Sequence, residues 1–159
     1  MTRFWLSQLP GALDLGALDT VAASLGVALD RSLECADAEA FRGEATDPQL
    51  VARWLELLGQ TDPHALVVVP SFYALVAQLA AVIAEDGRGV YVRAGLADCW
   101  GRLGLLVPGQ PVGLGPVRAT WLEQARERTD AFSRLGFVVV DASGLDEAGQ
   151  SGAILAAFS

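Results

Sequence analysis

Apolar, β-rich runs recur along the chain with helix-period stretches between them. The candidate strands are RFWLS (3–7), VAL (27–29), ALVVVP (65–70), GVYVRA (89–94) and FVVVD (137–141). Runs that are apolar on consecutive positions bury both faces, which is the signature of parallel strands covered by helices on each side. Helical patterns are expected over 16–25, 33–42, 48–59, 72–85, 96–103, 117–135 and 145–158. Asp47-Pro48 marks one helix start, with proline at the first helical position. Strands alternating with helices predict a doubly wound α/β fold: a five-stranded parallel sheet with right-handed crossovers. RFWLS and ALVVVP, the most apolar runs, are expected inside the sheet. Ligands of such sheets bind beyond the carboxyl ends of the strands, which here points to residues 8–15.

One segment departs from the pattern. Residues 103–117, LGLLVPGQPVGLGPV, hold four glycines, three prolines and no charge. The segment is too punctuated for a helix and reads as a flap. No repeat or composition break divides the chain, so 1–159 reads as a single domain of a size that buries one sizeable core.

Composition narrows the function classes. The net charge of −8 disfavours nucleic acid and anionic membranes as partners, because phosphate attracts basic surfaces. All eleven basic residues are arginine, and no run approaches the roughly 20 apolar residues of a membrane span. Asp14 and Asp19 interrupt any signal-peptide core, so a cytoplasmic location is expected. Cys35 and Cys99 stand apart and read as thiols in a reducing compartment. His64 is the single histidine and sits in a polar turn, QTDPHA, which argues against a Ser-His-Asp site or a multi-histidine metal site. No metal, no cofactor and no catalytic residue is assigned.

The opening stretch FWLSQLPGALDLGALDTVAASLG carries strand, glycine-bearing turn and helix in the order of a phosphate-binding loop. It aligns without a gap on the GxxGxGKST…LA…LG opening of the shikimate kinases. EAFRGE, GVYVRAGLADCWGRLG and RATWLEQARERTDAFSRLGFVVVDASGLDEAGQSGAIL resemble that family's later segments in order and spacing. The whole chain therefore resembles shikimate kinase, a small relative of the nucleoside monophosphate kinases.

The resemblance implies a fold and a set of site positions, and several of those positions are altered. A phosphate loop needs glycines for close backbone approach, a lysine on the terminal phosphates and a hydroxyl on magnesium. Gln8 replaces the first glycine, Gly11 is kept, and Leu13 replaces the third; Asp14 stands at the lysine and Leu15 at the hydroxyl residue. Exchanging a cation for an anion about 5 Å from a phosphate charge changes the energy by roughly 6 kcal/mol at an effective dielectric near 20. Half that value would still weaken nucleotide binding by about two orders of magnitude. Pro70-Ser71-Phe72 replaces a glycine triplet, and Gln110 stands where the lid arginine is expected. Phosphoryl transfer depends on positive charge around the moving group, and this lid supplies none.

On the acceptor side the resemblance retains more. Arg42 and Arg128 match its substrate-binding arginines, each able to pair with a carboxylate. Asp30 matches one acidic position if a single-residue gap is allowed, and Arg102 matches an arginine near the adenine. Three readings follow. The chain is a catalytically inactive pseudoenzyme kept as a binding, regulatory or assembly module for another protein or a small carboxylate. Alternatively it is an enzyme, either an atypical kinase of a shikimate-like hydroxy acid or another small-molecule activity in the acceptor pocket. Or it is a structural subunit with a closed pocket. For the loop itself the expectation is specific: Asp14 caps the following helix, and Leu13 and Leu15 are buried against Phe72 or Tyr73, each gaining roughly 1.5–3 kcal/mol.

Overall fold

The computed structural model describes residues 3–36, 47–85, 87–106 and 116–159. Five parallel strands form one sheet: β1 (Phe4–Gln8), β2 (Leu29–Asp30), β3 (Leu66–Val68), β4 (Arg88–Arg93) and β5 (Val138–Asp141), in the order β2-β3-β1-β4-β5. The register sets Leu6 beside Val68 on one side and Val90 on the other. β1 is central and β3 lies inside the edge, as their apolar character requires. Pro70 ends β3 early, since proline has no N–H for the ladder.

The helices are α1 (Ala17–Leu25), α2 (Pro48–Gly59), α3 (Ala77–Glu85), α4 (Leu96–Arg102), α5 (Pro116–Arg134) and α6 (Glu147–Phe158). Side-chain alternation along the strands separates the two faces. On one, Phe4 meets Phe158 of α6 edge-on at 5.2 Å, and α1 packs beside α6. On the other, Tyr91 stacks on Phe132 of α5 at 4.5 Å. One core runs through the sheet and includes Trp5, Leu6, Leu66, Tyr91 and Phe132, all fully buried.

One expected helix is described only in part and another is corrected. The one placed over 33–42 begins as a 3₁₀ turn, Ser32–Ala36, and its remainder lies outside the described residues. The Asp30 carboxylate takes the Ser32 amide at 2.9 Å, and Arg31 grips Glu34 through Nε at 2.7 Å and Nη2 at 3.1 Å. A pair three residues apart suits the tighter helix. The helix placed over 72–85 is broken at Val76, which is extended (φ −107°, ψ 112°). Ser71–Leu75 is a 3₁₀ turn that delivers Phe72 and Tyr73 into the core, where both rings pack on Trp54 at 4.9 and 6.2 Å. α3 starts only afterwards. Most of the 103–117 flap, residues 107–115, also lies outside the described residues.

The start of α2 matches its sequence signal: Asp47 is the N-cap, its carboxylate accepting from the Gln49 amide at 2.9 Å, with Pro48 at the first helical position. Asp47→Ala leaves that amide without its side-chain acceptor and is expected to lower stability by about 1 kcal/mol. Urea unfolding of the two proteins measures the difference, and an unchanged midpoint would show the cap to be dispensable.

Candidate functional site

The turn between β1 and α1 opens beside a cleft of about 560 Å³, lined by Gln8, Gly11, Leu13, Asp14, Leu15 and Gly16 from the turn, with Arg102, Leu103 and Glu147 opposite. Gly11 is fixed there by two constraints. Its φ is +83°, and a Cβ would overlap the Cys99 carbonyl oxygen of α4. The turn thus presses directly on α4.

Four of its backbone groups are satisfied by side chains. The Leu13 amide donates to Gln8 Oε1 at 3.2 Å, and the Asp14 amide donates to Gln150 Oε1 at 2.9 Å. Arg102 Nη1 donates to the carbonyls of Gly11 at 3.1 Å and Ala12 at 3.0 Å. Asp14 closes the network: its Oδ1 accepts from Arg102 Nε at 3.0 Å and its Oδ2 from Gln150 Nε2, also at 3.0 Å. Gln150 is fully buried and uses its second N–H on the Leu145 carbonyl at 2.9 Å. One carboxylate therefore ties the turn to α4 and to α6.

This corrects the expected cap. The N-cap of α1 is Gly16, which has no side chain to cap with, and the Asp14 carboxylate is turned to Arg102 and Gln150. The helix end meets a different anion. A Cβ on Gly16 would overlap the Glu147 carboxylate, so Glu147 reaches from the first turn of α6 to the start of α1. The charge is favourable beside that end of the helix dipole. Leu15 is a second correction: Leu13 is buried, but Leu15 is 86% exposed and does not pack on the aromatic rings. Consecutive residues at the end of this turn diverge, and the inward direction is taken by Leu13.

Neither Arg128 nor Asp30 lines this cleft. Arg128 is buried on α5 and lines a neighbouring groove of about 180 Å³ with Leu9, Pro10, Leu103, Leu105 and Trp121. Asp30 holds the turn after β2, accepting from Ser32 Oγ at 2.6 Å and from the Asp62 amide at 3.4 Å. Burial pushes its carboxyl up, but the bonds from Ser32 and Asp62 outweigh that and hold it below the usual range. Arg42 lies outside the described residues. Among the described residues no three histidine, cysteine or acidic side chains gather as metal ligands. No helix among them is long and apolar enough to cross a membrane.

The sequence reading missed Gln150 and Glu147. Their signal is faint: GLDEAGQSGAIL places Gln150 and Ser151 among small residues, a pattern compatible with an inward polar position but not diagnostic of one.

No protein-family model matches the chain, and no curated protein does. Solved structures do. The shikimate kinase of Bacteroides thetaiotaomicron superposes with a TM-score of 0.68 at 13% identity, over 96% of this chain and 94% of that one. The shikimate kinase of Aquifex aeolicus gives 0.65 at 14% identity, over 98% and 95%. That of Acinetobacter baumannii, in complex with shikimate, gives 0.59 at 11% identity, over 96% and 88%. The chain has a shikimate-kinase-like fold.

Two predictions follow from this geometry. Gln150→Leu strips the Asp14 amide and carboxylate of a buried partner, and is expected to cost about 1–3 kcal/mol in urea unfolding. A loss no larger than that of an ordinary surface substitution would show that water replaces the amide.

The second concerns pH. Burial pushes the Cys99 thiol up from 9.0 to about 11, with Asp98 adding and Arg102 opposing. Burial also pushes Tyr91 up from 10.0 to about 12, partly offset by Thr129 and Arg128. Both groups keep their protons in the fold after the unfolded chain has released them. Their contribution is full below the ordinary thiol range and is lost as pH rises through the raised values. Stability should therefore fall between pH 9 and 12, and less steeply in Cys99→Ala. Unfolding at a series of alkaline pH values checks this, and identical slopes for the two proteins would refute it.

Proposed function

We propose that this chain is a catalytically inactive protein with a shikimate-kinase-like fold, kept as a binding, regulatory or assembly module. The observation that carries the reading is the Asp14 carboxylate, held by Arg102 and Gln150 at the position where the resemblance puts the phosphate-binding lysine. An anion built into the turn repels a nucleotide's phosphates. Amides that would cradle phosphate already donate to Gln8 and Gln150. Leu15, in place of the magnesium-binding hydroxyl, has no ligand atom.

The alternative is an atypical small-molecule kinase acting on a shikimate-like hydroxy acid, with the open cleft and the buried Arg128 in its favour. It needs positive charge on the moving phosphoryl group. Arg102 is the one cation lining the cleft among the described residues, and its guanidinium is engaged with the turn.

Isothermal titration with Mg-ATP is expected to give no binding at micromolar affinity, and a coupled assay with shikimate no turnover. Either signal would overturn the reading. Restoring the family residues separates the structural roles of the two positions. Asp14→Lys is expected to lower stability by about 2 kcal/mol, because it strands Gln150 and sets two cations together. Leu15→Ser changes an exposed side chain and should leave thermal unfolding unmoved.

A further inference from the structure

A second cavity, of about 340 Å³, lies between the carboxyl end of β4 and α5. It shares no lining residue with the cleft at the β1–α1 turn. α5 presents Leu122, Ala125 and Thr129 to it, one helical stripe at positions i, i+3 and i+7. Arg126 fills the i+4 place of that stripe, where an apolar side chain would extend the wall. Arg93, the last residue of β4, lines the cavity from the sheet side. Half-buried Trp121 adds an aromatic surface, and Asp130, one helical turn beyond Arg126, adds a carboxylate.

Two cations and one anion thus meet in one cavity, in a chain of net charge −8. Ion pairs among the described residues are Arg31 with Glu34 and Arg102 with Asp14, so none of the three charges is paired within the protein. That holds even for Arg126 and Asp130, whose spacing would allow a pair. Asp141 stands beside Arg93 across the β4–β5 ladder, but its Oδ1 accepts from the Ser143 amide at 3.0 Å and hydroxyl at 2.6 Å, and it does not line the cavity. Arg128 lies in the adjoining groove, which shares Leu9 and Trp121 with this one. A matching ligand carries an anionic group for the guanidiniums, a cationic donor for the carboxylate and an apolar body for Trp121 and Leu122. Small-molecule cavities span about 300–1,000 Å³, and this one falls at the small end. A free α-amino acid with an apolar side chain meets every demand. Its carboxylate suits guanidinium geometry, and its ammonium lies one carbon away, as Asp130 lies one turn from Arg126.

We propose that this cavity binds a free α-amino acid with an apolar side chain, its carboxylate between Arg93 and Arg126, its ammonium on Asp130 and its side chain against Trp121. The site is separate from the β1–α1 turn and stands whether or not that turn takes a nucleotide.

The test is isothermal titration of the full chain with L-leucine and L-phenylalanine, each against the same carbon skeleton without the ammonium, 4-methylpentanoate and 3-phenylpropionate. At least one of the amino acids is expected to bind with a dissociation constant of about 1 mM or tighter, within reach of a ligand of this size. Its ammonium-free counterpart is expected to bind about tenfold more weakly. Arg126→Gln should weaken the amino acid and its counterpart alike by about tenfold, as loss of a charge-assisted bond does. Asp130→Asn should weaken the amino acid and leave the counterpart unmoved. Arg53→Gln, an exposed arginine on α2, controls for bulk charge and should change neither. All three substitutions fall on exposed side chains, and each variant is first shown to unfold at the wild-type temperature. No binding of either amino acid, equal binding of the counterparts, affinity unchanged in Arg126→Gln or in Asp130→Asn, or an equal loss in Arg53→Gln would each overturn the proposal. Mg-ATP titration judges the reading of the β1–α1 turn separately, because the two sites share no residue.

Discussion

Backbone amides and carbonyls at the turn between β1 and α1 sit where strand ladder and helix both stop, so neither can satisfy them. In a nucleotide-binding protein of this architecture the phosphate groups complete the pairing from outside. Here Gln8, Gln150 and Arg102 complete it from within, and Asp14 joins the last two. A polar network in a partly dry junction is stiff, because breaking a bond strands its partner. The turn is therefore held to α4 through Arg102 and the Gly11 approach, and to α6 through Gln150.

From this arrangement the character of the cleft follows. Its charged groups are Asp14, Glu147 and Arg102, and Arg102 is turned inward on the turn. After β3, Phe72 and Tyr73 are packed on Trp54 inside the core. What is left beside the turn is an open cleft with leucine walls and an acidic rim. The architecture is that of the shikimate kinases in strand order and helix placement, but architecture places a site without deciding its chemistry.

The strands were legible because burial on both faces demands uninterrupted apolar residues, and RFWLS and ALVVVP have them. Asp47-Pro48 was legible because a cap is a local device, made by a side chain and an amide two residues away. The helix expected over 72–85 starts late because apolar periodicity does not register Phe72 and Tyr73 being drawn against Trp54 from a distant helix. The residue types at the turn were also readable, since Asp14 carries an anion and Leu15 has no ligand atom whatever surrounds them.

The direction of each side chain at that turn could not be read. Asp14 had a local partner available in the start of α1, and the cap was the reasonable expectation from sequence neighbours. It was displaced by Gln150, 136 residues away, and by Arg102, 88 residues away, which the sheet brings to the same end of β1. Leu13 and Leu15 are equally apolar, yet one is buried and the other bare, and Asp14 between them is held by Gln150 and Arg102. The sequence by itself determined the element order, the apolar strands and the residue types present at the cleft, since these depend on local periodicity and intrinsic chemistry. The tertiary structure alone decided which partners those residues meet, because long-range hydrogen bonds outcompete local ones once packing has removed water from around them.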